Sequence, residues 1–173
     1  MGEIKSRPAD AGLRVLGIDP GTATVGWAIL EENAGTLVPV AFGHISTDKG
    51  NSEENRLAEI SQDLASIIEK YHPSEAAVEQ LFFFKNKKTI ISVGQSRGGI
   101  LLTLEQKGVK IASYTPLQVK QAVTGYGKAE KKQVQLMVKS ILGLKAVPKP
   151  DDTADALAIA ICHINSRKLN RVL

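Results

Sequence analysis

The sequence predicts an α/β domain in which a mixed central sheet, its first strands antiparallel, is flanked by helices. Three observations predict it. Residues 13–30, LRVLGIDPGTATVGWAIL, hold two short apolar runs about a Pro-Gly turn. Further on, short β-branched runs alternate with longer stretches whose apolar residues recur at helical spacing. Acids stand at two strand ends and at one helix start.

Val15, Leu16 and Ile18 read as a buried strand that ends in Asp19, and residues 25–30 return antiparallel to it. On this stretch alone Asp19 reads equally as a turn cap or as a working carboxylate. A third strand is expected at 37–46, where Val38, Val40 and Phe42 alternate with other residues. Ser52, with Glu53 and Glu54 behind it, caps a helix to Tyr71 that carries Leu57, Ile60, Leu64, Ile67 and Ile68, and Pro73 ends it. Ala76, Ala77 and Val78 lead into Glu79, so another short strand ends in an acid. Phe82, Phe83, Phe84 and a basic loop follow. The helix expected at 89–107 contains Gly94, Gly98 and Gly99, each costing about 1 kcal/mol relative to alanine. Three such residues imply that a strand, a partner subunit or a nucleic-acid backbone packs close.

Residues 109–114 read as a strand, and Thr115-Pro116 opens a short helix that Gly125 and Gly127 break. A helix over 129–142 is expected to turn Val134, Met137, Val138, Ile141 and Leu142 inward. Lys128, Lys131 and Lys132 near its start oppose the helix dipole, which suits either an anion or a solvated face. The last helix begins at Asp151 or Asp152. Residues 156–161 are apolar all round, the mark of a buried helix, yet Asp152 and Asp155 share one face of its first turn. Asp151 reads as the N-cap, or, being four residues from Asp155, as a competitor for the role of Asp152.

The 173 residues suit one domain over 13–173 behind a flexible polar lead-in at 1–12. Hydrophobic content of 43% and charged content of 23% set disorder aside. A net charge of +4 admits a polyanionic partner. The single cysteine, Cys162, excludes an intrachain disulfide and fits a reducing, cytoplasmic setting. No membrane span or secretory signal is read, and the myristoylation match in MGEIKS is taken as chance.

Asp19, Glu79, Asp152 and Asp155 thus stand where open α/β sheets gather ligands. Four carboxylates without cations repel by about 3 kcal/mol per pair at roughly 6 Å and an effective dielectric of about 20. Such a group needs metal. Oxygen-only donors select Mg²⁺ or Mn²⁺, and two divalent ions would balance four acids and serve phosphodiester hydrolysis.

The segments GIDPGTATVGWAI, VEQLFF, LQVKQAVTGYGKAEKKQV and DDTADALAIAICH, in this order and spacing, resemble the bacterial Holliday junction resolvases of the RuvC type. The resemblance runs over residues 15–163. It implies an RNase H-like fold, a homodimer, and paired symmetric nicks in four-way DNA junctions during recombination and repair, leaving a 5′-phosphate and a 3′-hydroxyl. It implies two Mg²⁺ per subunit, with Mn²⁺ able to substitute, and a branch-migration complex of the RuvA-RuvB type as partner. By motif, Asp19, Glu79, Asp152 and Asp155 match the catalytic acids. Asp19 is expected to bridge both ions, Glu79 to hold one, and Asp152 with Asp155 the other. Lys120 and Lys131 match residues that neutralise phosphate. Phe82 matches an aromatic set against an unstacked base, and Phe83 and Phe84 read as core. Lys85, Lys87, Lys88, Lys128 and Lys132 are expected to follow phosphates. The glycine-containing helix is the expected dimer contact.

Among the histidines, His163 lies about 16 Å along its helix from Asp152, too far to share a metal. Trp27 and Cys162 read as core residues.

Overall fold

In the computed structural model, which describes residues 12–81 and 87–172, the sheet has the order β3-β2-β1-β4-β5. Strands β1 (Leu13–Asp19), β2 (Thr24–Asn33) and β3 (Thr36–Ser46) form an antiparallel meander. Strand β4 (Glu75–Glu79) pairs parallel to β1, and β5 (Lys110–Tyr114) parallel to β4. The mixed sheet with an antiparallel beginning is as the sequence predicts.

Each turn follows from local chemistry. The β2–β3 turn places Ala34 and Gly35 at positive φ, as a tight hairpin requires. Helix α1 (Glu53–Tyr71) is capped by Ser52, whose hydroxyl accepts from the Asn55 N–H, and ends at His72 in a left-handed conformation. Helix α2 (Lys87–Gln106) precedes β5. Helix α3 (Pro116–Thr124) opens on a capping box between Thr115 and Gln118. Helix α4 (Lys131–Ile141) opens on a second box between Glu130 and Gln133, and α5 (Asp151–Val172) closes the fold.

The alternation of strand side chains divides the core in two. Val15, Ala28, Leu30 and Ala77 pack with α3, α4 and α5, while Leu16, Ile18, Ile29, Ala76 and Val78 pack with α1 and α2. Residues 156–162 of α5 are all buried, as its uniformly apolar sequence requires. Cys162 is among them. Trp27 is only partly buried and packs beside Tyr71.

One expectation needs correction, and one alternative is removed. On α4, Val134, Val138 and Leu142 are buried but Met137 and Ile141 are 39% and 38% exposed. This helix lies outside the sheet and meets chiefly α3 and α5, so only a narrow stripe is covered. On α2, no strand presses on the glycines. A Cβ on Gly98 or Gly99 would meet nothing within 4 Å, and one on Gly94 would make ordinary contact with Leu81. Phe82, Phe83, Phe84 and Lys85 lie outside the described residues, as do the side chains of Lys87 and Lys88.

Candidate active site

Strands β1 and β4 run parallel side by side, so their terminal acids, Asp19 and Glu79, emerge at the same edge of the sheet. Helix α5 supplies the others, and two glycines let it do so. Gly26, paired with Asp19 across β1–β2, faces the α5 backbone so closely that a Cβ would fall on the carbonyl of Asp152. A Cβ on Gly17 would strike the backbone of Ala156 and Ala160. The first turns of α5 thus lie directly on the sheet, and Thr153 fastens them by donating to the carbonyl of Gly43 at 3.2 Å. The reading from sequence missed both glycines, although a glycine inside a strand pattern is itself a sign of close backbone approach.

Among the described residues, Asp19, Asp152 and Asp155 form a group whose ligand oxygens lie within 4.8 Å of one another. Asp151 is not in it. Its carboxylate accepts from Lys149 at 2.9 Å. Glu79 stands outside the group of three, across a cleft of about 210 Å³ that it lines with Lys120, Lys131 and Asp155 over walls of Pro116, Val119, Val134 and Ala158.

The family model for the crossover junction endodeoxyribonuclease RuvC matches residues 15–163, which include all four acids. The chain belongs to the RuvC family. It is 52% identical to the RuvC of Syntrophomonas wolfei over 93% of this chain and 94% of that relative. It is 55% identical to the RuvC of Halothermothrix orenii over 91% and 95%. The structure of Thermus thermophilus RuvC in complex with a Holliday junction substrate superposes with a TM-score of 0.86, at 33% identity, over 91% of this chain and 96% of that one. The fold is RNase H-like and the chain is a crossover junction endodeoxyribonuclease, as the four motifs imply.

The electrostatics of the RuvC site are those of acids held together against their charge. Burial, then Glu79, Asp155 and Asp152, push the Asp19 carboxyl well above the usual carboxylate range. Glu79 is raised to about 7, by burial first and then by Asp155. Asp155 is raised by burial, although Lys131 at 2.9 Å works against the rise. Four acids with oxygen donors only, three of them converging, fit hard divalent cations. Divalent-metal dependence follows for this member of the family.

Lys120 and Lys131 both line the cleft. Lys131 pairs with Asp155, and that pair with Asp151 and Asp19 carries its pKa up although burial opposes the rise. Lys128 and Lys132 are exposed and do not line the cleft. His163 is engaged elsewhere: Nδ1 meets the Tyr114 hydroxyl at 2.9 Å and Nε2 meets Glu75 at 2.8 Å, with Arg167 on the other oxygen of Glu75. That agrees with its exclusion from the metal group.

Proposed function

We propose that the chain resolves four-way DNA junctions by paired symmetric nicks, as a homodimer, with Asp19, Glu79, Asp152 and Asp155 holding two Mg²⁺ ions for which Mn²⁺ can substitute. The convergence of Asp19, Asp152 and Asp155 within 4.8 Å supports this most directly. Asp19, at the end of the central strand β1 and repelled by Glu79, Asp155 and Asp152, is assigned as the ligand shared between ions. Glu79 would hold one ion, and Asp152 with Asp155 the other. Such ions, when bound, supply positive charge and Lewis acidity at a scissile phosphate. Lys120 and Lys131 place two ammonium groups in the same cleft to meet phosphate oxygens, Lys131 by exchanging Asp155 for the substrate.

Beyond the cleft, Phe82 is assigned by motif to stack on an unpaired base, a contact worth about 1 to 3 kcal/mol. Lys85, Lys87, Lys88, Lys128 and Lys132 are assigned to phosphates, which carry affinity without sequence information. A four-way junction has equivalent strand pairs, and a two-fold dimer presents two sites to them. The contact we assign to the dimer is the open face of α2, where Ile91, Gly98 and Leu102 share one stripe. Ile91 is 72% and Leu102 59% exposed, and Gly98 faces open space. Light scattering is expected to give twice the chain mass of 18.6 kDa, and Leu102→Arg to give the monomer. A wild-type monomer under cleavage conditions would remove this contact. A cytoplasmic setting and a branch-migration complex of the RuvA-RuvB type complete the reading. No helix among the described residues is long and apolar enough to cross a membrane.

The deciding experiment compares a labelled four-way junction with a linear duplex of the same sequence, in Mg²⁺ or EDTA. Symmetric nicks in the junction alone, lost in EDTA, are expected. Equal cutting of the linear duplex would overturn junction specificity, and cutting in EDTA would overturn the metal assignment.

A further inference from the structure

The ladder between β1 and β4 ends at the two acids. Its last pair is Ile18 with Val78, so Asp19 and Glu79 lie just past it. Each acid is instead tied to the strand on its far side, Asp19 to Gly26 of β2 and Glu79 to Tyr114 of β5. The backbone pairing that ends here fixes the main chain beside the two acids but not the residues that follow them.

Two consecutive residues of α2 reach across here. Ser96, fully buried, donates its hydroxyl to the carbonyl of Gly21, in the turn directly after Asp19, at 2.7 Å. Arg97 donates Nε to the carbonyl of Glu79 itself at 3.0 Å and Nη2 to the Ser113 hydroxyl of β5 at 2.9 Å. The helix that carries them is anchored by Ile100 and Leu104, both fully buried in the cluster that contains Ile18 and Val78. The turn after Asp19 has a second hold, Thr47, whose hydroxyl donates to the carbonyl of Thr22 at 2.6 Å. Thr47 bonds nothing on β4 in this way, so α2 alone bridges the two strand ends by side-chain hydrogen bonds among the described residues.

We propose that Ser96 and Arg97 are positioning residues that set the separation of the Asp19 and Glu79 carboxylates and thereby the affinity of the site for its divalent ions. The proposal rests on the reading of these acids as metal ligands. Each side chain bonds the main chain at or beside an acid rather than the carboxylate itself. A helix is suited to the task because adjacent residues keep a constant offset. Removing either bond frees one strand end to move away from the other under charge repulsion.

The test uses the full chain, with Mn²⁺ alone as the probe, titrated into metal-free protein by calorimetry at a temperature below every variant's melt. Arg97→Ala is expected to weaken Mn²⁺ binding by roughly 10-fold or more, the range for residues that orient ligands. Ser96→Ala is expected to weaken it less, and Arg97→Lys to recover part of the loss. The Mg²⁺ concentration that half-saturates junction cleavage is expected to shift by the same factor, with the rate largely restored at saturating metal. Ser61→Ala is the control for a lost hydrogen bond on α2, since Ser61 bonds Thr103 at 2.8 Å away from the cleft. Its Mn²⁺ affinity is expected to be that of wild type. If Ser96→Ala and both Arg97 variants melt lower but bind Mn²⁺ as tightly as wild type, their role is structural and the proposal fails. Equal Mn²⁺ binding by wild type and Asp19→Asn would remove the metal reading itself, and this proposal with it.

Discussion

Asp19→Asn is expected to cleave no junction and yet to melt above the wild-type chain in EDTA. A carboxyl whose pKa is higher folded than unfolded holds more protons in the folded state, so stability falls as pH rises past the unfolded value. Asp19 is such a group, raised first by burial and then by three neighbouring acids. Glu79, raised from 4.5 to about 7 by burial and Asp155, is a second such group, whose cost Asp19→Asn leaves largely in place. The cost at Asp19 is absent below its unfolded pKa of 3.8 and grows as pH rises above it. Asparagine carries no charge, so it relieves Asp19's own burial cost and its repulsion of Glu79, Asp152 and Asp155. At about 2 to 4 °C per kcal/mol for a chain of this size, the variant is expected to melt several degrees higher at pH 8 in EDTA. At pH 5 the gap narrows. Saturating Mg²⁺ is expected to reverse the order, because an ion bound only by the folded form stabilises the protein that binds it better. Melts of both proteins at pH 5 and pH 8, in EDTA and in Mg²⁺, check each part. A variant that melts no higher than wild type at pH 8 in EDTA would show that the acids are not in conflict.

Gly26→Ala is expected to be as damaging as the loss of an acid, although it removes no charge. The added methyl falls on the backbone carbonyl of Asp152, and backbone cannot rotate aside as a long side chain can. Either β2 bends or the start of α5 lifts, carrying Asp152 and Asp155 away from Asp19. Overpacking of this kind costs about 1 to 3 kcal/mol. A displacement of about 1 Å at reacting groups costs on the order of 100-fold in rate. Junction cleavage at saturating Mg²⁺, with a melt to confirm folding, is expected to show both. Retention of the wild-type rate would mean that α5 does not depend on this contact for its placement.

The four acids were legible because each stands at the end of an element whose pattern is strong. Asp19 and Glu79 close apolar strand runs, and Asp152 and Asp155 stand just before the all-apolar stretch 156–162 of α5. The meeting of Asp19, Asp152 and Asp155 followed from topology, and the motifs named the family. The rest was hidden for physical reasons. Gly17 and Gly26 read only as small residues until the helix above them is placed. Ser96 and Arg97 bond main-chain carbonyls 75 and 18 positions away, and such bonds leave no periodicity. The same holds for His163, whose partners Tyr114 and Glu75 lie on separate strands. Met137 and Ile141 were misplaced because helical spacing tells which residues share a face, not how wide a strip of that face a neighbour covers.

The chain order of the acids has a consequence for synthesis. Asp19 leaves the ribosome early, while Asp152 and Asp155 belong to α5, which with α3 and α4 packs on one face of the sheet. Domains fold as their chains emerge, N-terminal parts first. A nascent chain can therefore form the opening hairpin and still lack two of its four acids. Any product truncated before α5 lacks Asp152, Asp155 and the buried helix around which one half of the core packs.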